Sequence, residues 1–248
     1  MMHIAQYLDS TYLKKPSEAG ISEQETLQIV KNLTQEAIDH HLFAVMIRPD
    51  YISEIKKYLK ERNAEVVLGT VIGFHEGTYT IAEKLAEAEK AIEDGADELD
   101  FVINYMAYIN GNIALVREEF LQGTNLGIKN GRVTKWIIEI AALDNAQIAD
   151  LTKQISTWAE ENFEEKDLSK IFVKSSTGFY KTTDGKPNGA TFEGIKIMLD
   201  NAGKLPVKAA GGVRSPEDAE KMINLGVKRI GTSSALALIK NESSSEGY

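Results

Sequence analysis

The sequence predicts a single-domain α/β fold, a closed (β/α)8 barrel of the TIM type, and three observations carry that expectation. Short apolar runs rich in Val, Ile and Phe alternate with longer amphipathic segments rich in Ala, Glu, Lys and Leu, the periodicities of strand and helix. About eight such β-then-α units fit into 248 residues that are 43% hydrophobic, with no Pro- or Ser-rich linker before the last few residues. The chemically unusual residues fall at the C-terminal ends of different strands, where a barrel gathers its site. A doubly wound open sheet shares the alternation. Against it, no GxGxxG follows the first strand, and "GFYKTTDGK" has the wrong spacing for a P-loop.

In chain order, the first strand is "YLDST" from Tyr7, followed by "SEQETLQIVKNLTQEAIDHH", a helix whose Ser22 and Glu25 are spaced as a capping box. The next strands are "LFAVMIR" from Leu42, "EVVLGTVIGF" from Glu65, "ELDFVIN" from Glu98 and "TKWIIEIA" from Thr134. The last three are "KIFVKSST" from Lys170, "PVKAAGG" from Pro206 and "KRIGTSS" from Lys228. Between the final two, "SPEDAEKMINLG" opens with Ser215 as N-cap and Pro216 at the first helical position, and stops at Gly226. The barrel is expected over 1–241, with "NESSSEGY", residues 242–248, as a flexible C-terminal tail.

A net charge of -9 argues against a nucleic acid partner, which would require a basic face. With no cysteine there is no disulfide, thiolate metal site or Cys nucleophile. The opening "MMHIAQYLDS" lacks the regions of a secretory leader, and no apolar run reaches membrane-spanning length, so a cytoplasmic location and no membrane partner are expected. His3, His40, His41 and His75 show no metal-ligand spacing, so no metal is expected. Apolar positions on the outer helices leave a homodimer open.

Three strand ends concentrate the chemistry. "ELDFVIN" places Asp100 in an otherwise apolar strand, on one face with Glu98 because side chains alternate with period two. "IFVKSST" ends a buried strand on Lys174, and "PVKAAGG" sets Lys208 at the matching place on the next. Two ammonium groups on neighbouring strands disfavour each other's charge, and a neutral lysine amine attacks carbonyl carbon to form an imine. A lone lysine after a strand is ordinarily a solvated loop residue; the pair with an in-strand aspartate is what points to chemistry. Glu98 is left between surface, supporting and catalytic roles. Lys135 and Glu139 flank "WII" at even spacing, so one strand face is expected to carry both, paired with each other or with the site in a supporting role.

"AAGGVRSPEDA" and "RIGTSSALA" each run from a strand through small residues into a helix, leaving backbone N–H groups at a positive helix end where anions settle. Gly211, Gly212, Gly231, Ser233 and Ser234 are small enough to admit a phosphate. The bland alternative is a tight Gly-Gly turn and a helix cap.

The chain resembles the deoxyribose-phosphate aldolases, class I Schiff-base enzymes. "LDSTYLK", "GTVIGFHEG", "GADELDFVIN" and "WIIEIAAL" are similar to the family's first and third to fifth strands. "FVKSSTGF", "NGATFEGI", "VKAAGGVRSPEDA" and "RIGTSSAL" resemble its run from the sixth strand onward. The resemblance implies that Lys174 forms the Schiff base, Lys208 perturbs it electrostatically and Asp100 shuttles protons. It also implies that Gly178, Gly212, Val213, Gly231, Ser233 and Ser234 surround the substrate phosphate, with Asp9, Thr11, Thr177 and Arg214 at polar positions around the pocket. The implied substrates are a small phosphorylated sugar and a short aldehyde, with no cofactor. Ser175 stands where the family commonly has threonine, and "YKTTDGKPN" is inserted beside the expected mouth, with a turn at Asp184 and Gly185. Tyr248 matches a terminal tyrosine that would fold over the mouth and join proton transfer. From the residues alone, another Schiff-base aldolase or transaldolase, a barrel isomerase and a non-catalytic sugar-phosphate binder stay open.

Overall fold

The computed structural model describes residues 4–183 and 185–243. His3, Asp184, and the end of the expected tail, 244–248 with Tyr248, lie outside the described residues.

Eight parallel strands close on themselves in chain order, the first pairing with the last. They are β1 (Leu8–Tyr12), β2 (Ala44–Ile47), β3 (Val67–Ile72), β4 (Glu98–Val102), β5 (Val133–Ile137), β6 (Ile171–Lys174), β7 (Val207–Ala210) and β8 (Arg229–Thr232). A main helix follows each: α1 (Glu23–Asp39), α2 (Ile52–Glu61), α3 (Ile81–Glu93), α4 (Ile113–Lys129), α5 (Asn145–Asn162), α6 (Phe192–Asn201), α7 (Pro216–Leu225) and α8 (Ala235–Ile239). This is the predicted TIM barrel. No helix among the described residues is long and apolar enough to cross a membrane.

Local chemistry sets the helix ends. The Ser22 hydroxyl accepts from the Glu25 amide while Glu25 accepts from the Ser22 amide, the capping box read in the sequence. Ser215 caps α7 through the Asp218 amide, Pro216 occupies its first turn, and Gly226 ends it at φ 119°. Such terminal bonds satisfy amides that the helix itself leaves free.

The strands alternate their side chains between two environments. Outward, Leu99, Phe101, Trp136 and Ile230 are fully buried beneath the helices. Trp136 stacks on Phe101 with centroids 4.8 Å apart, and its indole N–H donates to Thr124 on α4. Helix α4 approaches this pair because position 123 is glycine: a Cβ there would lie 2.9 Å from the Trp136 ring. Inward, the same strands present Asp9, Glu98, Asp100, Lys135, Lys174, Lys208 and Arg229, all buried. An interior lined with charge is unusual for this architecture, whose barrel core is ordinarily branched and apolar.

Candidate active site

The interior charges form a closed ring. Lys208 Nζ lies 2.6 Å from Asp9 Oδ2 and 2.9 Å from Asp100 Oδ2. Lys135 bridges Asp100 Oδ1 and Glu98 Oε2, at 2.6 Å from each. Arg229 completes the circuit, forking onto both Glu98 oxygens at 3.1 Å and meeting Asp9 Oδ1 through Nε at 2.6 Å and through Nη2. Three carboxylates and three cations alternate around this circuit, so it is neutral as it stands. Such closure matters because an unpaired buried charge is far costlier than a paired one.

Lys174 stands outside the balance. It is the last residue of β6 and the register partner of Lys208 on β7, and its Nζ donates to Asp100 Oδ2 at 2.8 Å. Burial pulls its pKa down; Asp100 opposes this, while Lys208 and Lys135 add to it, and the result is about 8. For Lys208 the balance reverses. Burial disfavours its charge, but Asp100 and Asp9 outweigh that and raise its pKa. Burial likewise acts against ionised Asp100, yet Lys135, Lys174 and Lys208 hold it well below the usual carboxylate range. The site therefore combines a readily neutralised amine, a firmly charged ammonium and a firmly charged carboxylate within hydrogen-bond reach of one another.

Asp100, Lys174 and Lys208 thus come together as the strand spacing predicted, and Glu98 shares the face of Asp100. Glu139 departs from expectation. Even spacing put it on the strand face of Lys135, but β5 ends at Ile137 and Glu139 takes φ 55°, ψ 68°, so strand alternation no longer governs it. It does not pair with Lys135. Instead it accepts from the Thr177 amide at 3.1 Å and from the Thr177 hydroxyl. Asp9 and Arg229, which complete the ring, are 220 residues apart in the chain. In "KRIGTSS" Arg229 stands between Lys228 and Ile230 in a largely polar stretch, so no local signal marked it.

The small-residue loops meet beside this cluster. Gly178, Gly211 and Gly212 have φ of 83°, 77° and 79°, conformations that favour glycine. A Cβ on Gly211 would lie 3.4 Å from the Gly178 Cα and 3.0 Å from that of Gly189. The Thr232 hydroxyl donates to the Val213 carbonyl, which ties the loop after β7 to the end of β8. Ser233 is exposed and Ser234 buried, with the Ser234 amide donating to Thr232 Oγ1. Gly231 lies within β8, and a Cβ there would come 3.1 Å from Lys208 Cε. Its lack of a side chain makes room for Lys208.

Tyr180, Lys181 and Asn188 stand beside the loops at this end of the barrel. Asn188 donates back to the Gly178 carbonyl at 2.9 Å, and the Tyr180 ring meets Tyr105 edge-on. Tyr180 and Lys181 line a cleft of about 600 Å³ with His75, Phe179 and Tyr105. Thr11 is buried and bonds its own strand through the Asp9 carbonyl, whereas Arg214 is exposed. No cluster of three or more His, Asp or Glu side chains able to hold a metal ion occurs among the described residues.

A closed parallel barrel with a titratable lysine at the end of β6 defines a (β/α)8 enzyme, and comparison with known proteins gives its family. Residues 3–240 match the family described as DeoC/LacD family aldolase. Deoxyribose-phosphate aldolase from Caldicellulosiruptor saccharolyticus is 36% identical over 242 residues, covering 96% of this chain and 98% of that one. The enzyme of the same name from Clostridioides difficile is 36% identical over 251 residues, covering 99% and 100%. The solved tetrameric deoxyribose phosphate aldolase from Aeropyrum pernix superposes with a TM-score of 0.76 at 29% identity, over 96% of this chain and 89% of that one. The chain belongs to the DeoC/LacD aldolase family, a family of lyases.

Proposed function

We propose that the protein is a deoxyribose-phosphate aldolase that reversibly cleaves 2-deoxy-D-ribose 5-phosphate to D-glyceraldehyde 3-phosphate and acetaldehyde through a Schiff base on Lys174. The observation that carries this reading is the Lys174 amine itself: buried, in contact with Asp100, surplus to a balanced ring, and with a pKa of about 8. The names of the relatives supply the substrate.

In the cleavage direction, the neutral amine of Lys174 adds to C1 of the open-chain aldehyde, and loss of water gives the iminium. A base removes the C3 hydroxyl proton, the C2–C3 bond breaks, and its electrons pass into the iminium as an enamine. Glyceraldehyde 3-phosphate leaves. The enamine takes a proton on carbon, and water hydrolyses the resulting iminium to acetaldehyde and free Lys174.

Asp100, with a water, moves these protons, and Lys208 stays charged and so makes Lys174 easier to deprotonate. General acid–base help of this kind is worth on the order of a hundredfold or more. Backbone groups of Gly178, Gly212, Val213, Gly231, Ser233 and Ser234 hold the phosphate and align the sugar. No metal takes part. Since the Aeropyrum pernix relative is tetrameric, self-assembly belongs to the same proposal.

Borohydride reduction with 2-deoxyribose 5-phosphate, followed by peptide mass analysis, tests this reading. The adduct is expected on the peptide holding Lys174 and is lost in Lys174→Ala. Ligand binding without any adduct would point to a barrel isomerase or a sugar-phosphate binder.

A further inference from the structure

Glu139 is a buried carboxylate at this end of the barrel that the proposed reaction does not use. It is fully buried, yet it joins no ion pair among the described residues, unlike Asp9, Glu98 and Asp100. Two donors from a single residue, the amide and hydroxyl of Thr177, converge on its Oε2. Its Oε1 is buried and meets no donor at ordinary hydrogen-bond geometry, although the Ala141 amide also favours the ionised form. The Thr177 hydroxyl in turn accepts from the Phe179 amide at 3.0 Å. The carboxylate therefore holds the turn 177–179, which begins three residues after Lys174 and sets Gly178 against Gly211.

We propose that Glu139 is a positioning residue: through Thr177 it fixes the Gly178 turn, and it holds that turn firmly only while it is ionised. The inference rests on the phosphate role of Gly178 argued above and extends it to a residue that touches no substrate.

A carboxylate accepts two hydrogen bonds far more strongly than a neutral carboxyl does, so protonation loosens the grip. The charged and titratable groups facing it are Lys174 from β6 and Tyr105 from the short helix Tyr105–Ile109. Burial raises the Glu139 pKa; the Thr177 hydrogen bonds, then the Lys174 charge and the Ala141 amide pull it back, leaving it at about 7. Tyr105, pushed up to about 12 chiefly by burial, stays neutral throughout. The grip is consequently closed above pH 7 and open below it.

Infrared titration of the full-length protein from pH 5.5 to 8.5 reads this directly. The expected result is a carboxylic C=O band that titrates with a midpoint about 7 and is missing in Glu139→Gln. Thr177→Val, which removes a bond favouring the ionised form, is expected to move that midpoint upward. In kinetics, lowering the pH below 7 raises KM for 2-deoxyribose 5-phosphate more in the parent than in Glu139→Gln. At pH 8, Glu139→Gln raises that KM about tenfold, with a smaller change in kcat. KM for unphosphorylated 2-deoxyribose responds much less, and this control cancels the titration of Lys174.

Absence of the band in the parent, its persistence in Glu139→Gln, or an unchanged KM would overturn the proposal. If Glu139→Gln does not fold, the midpoint shift in Thr177→Val decides alone. The borohydride adduct on Lys174 is expected to survive in both variants, so failure of the Schiff-base reading shows separately, as loss of the adduct in the parent.

Discussion

Lys174 and Lys208 are register partners on adjacent parallel strands, and their ammonium nitrogens share a single oxygen, Oδ2 of Asp100, at 2.8 and 2.9 Å. Two cations crowded onto one carboxylate oxygen cannot both keep their charge at low cost. Lys208 has a second carboxylate, Asp9, and Lys174 does not. The asymmetry decides which lysine loses its proton.

The first prediction concerns pH. The rate of imine formation on Lys174, read by rapid-quench borohydride trapping, is expected to rise with pH through a midpoint about 8, because the attacking amine is the deprotonated form. Lys208→Met removes a neighbouring positive charge that lowers the Lys174 pKa, so the midpoint should move upward and trapping at pH 7 should fall. A midpoint that does not move would dissociate Lys208 from the tuning of Lys174.

The second concerns stability. Because the ring is balanced without Lys174, Lys174→Met should lose less than about 1 kcal/mol in denaturant unfolding at pH 7, and a gain would not surprise. Asp100→Asn leaves Lys135, Lys174 and Lys208 around a neutral amide and should cost about 3–5 kcal/mol. Asp100 has a lowered folded pKa, so its contribution is present above its unfolded value and is lost as pH falls through the folded one. The gap between Asp100→Asn and the parent should therefore narrow in strong acid. Equal losses for the two variants would refute the balanced-ring account.

Particular residues show how much of this was legible in the sequence. A lysine closing "IFV" and an aspartate inside "ELDFVIN" interrupt short apolar runs, so each is visible one strand at a time. The eight strands were visible for the same reason. The ring was not, since Asp9 and Arg229 meet only when β8 closes on β1, a contact that no local pattern encodes. Glu139 was misread because alternation holds only within a strand, and β5 stops two residues before it. Lys84 and Glu119 were hidden differently: on amphipathic helices, each looks like a solvated residue until its neighbours are known.

The third prediction concerns the glycine turn. Gly211→Ala would place a Cβ 3.0 Å from the Gly189 Cα on a backbone at φ 77°, costing about 1–2 kcal/mol for the left-handed conformation alone. It would also press Gly189 and Gly178 away from the proposed phosphate cradle. KM for 2-deoxyribose 5-phosphate should rise about tenfold or more while that for 2-deoxyribose changes little. A parallel rise for both substrates would mean that the turn supports the barrel and not the phosphate.

The last prediction concerns a buried pair outside the barrel. Lys84 on α3 donates to Glu119 on α4 at 2.6 Å and to the Val102 carbonyl at 2.7 Å, and Glu119 also accepts from the Asn104 amide. The two helices are thereby pinned to the end of β4, two residues beyond Asp100. Lys84→Met strands a carboxylate in a dry setting and should cost about 3–5 kcal/mol at pH 8. Burial already raises the Glu119 pKa against the pull of Lys84, and losing Lys84 raises it further. The folded variant then binds a proton that the unfolded chain releases, so its deficit should shrink as pH falls toward the ordinary glutamate value. Adding Glu119→Gln to Lys84→Met removes the stranded charge and should recover most of the loss at pH 8, leaving little pH dependence. If the double variant were as unstable as the single one, lost packing of the Lys84 stem, which fills the space beside Gly73, would be the dominant cause.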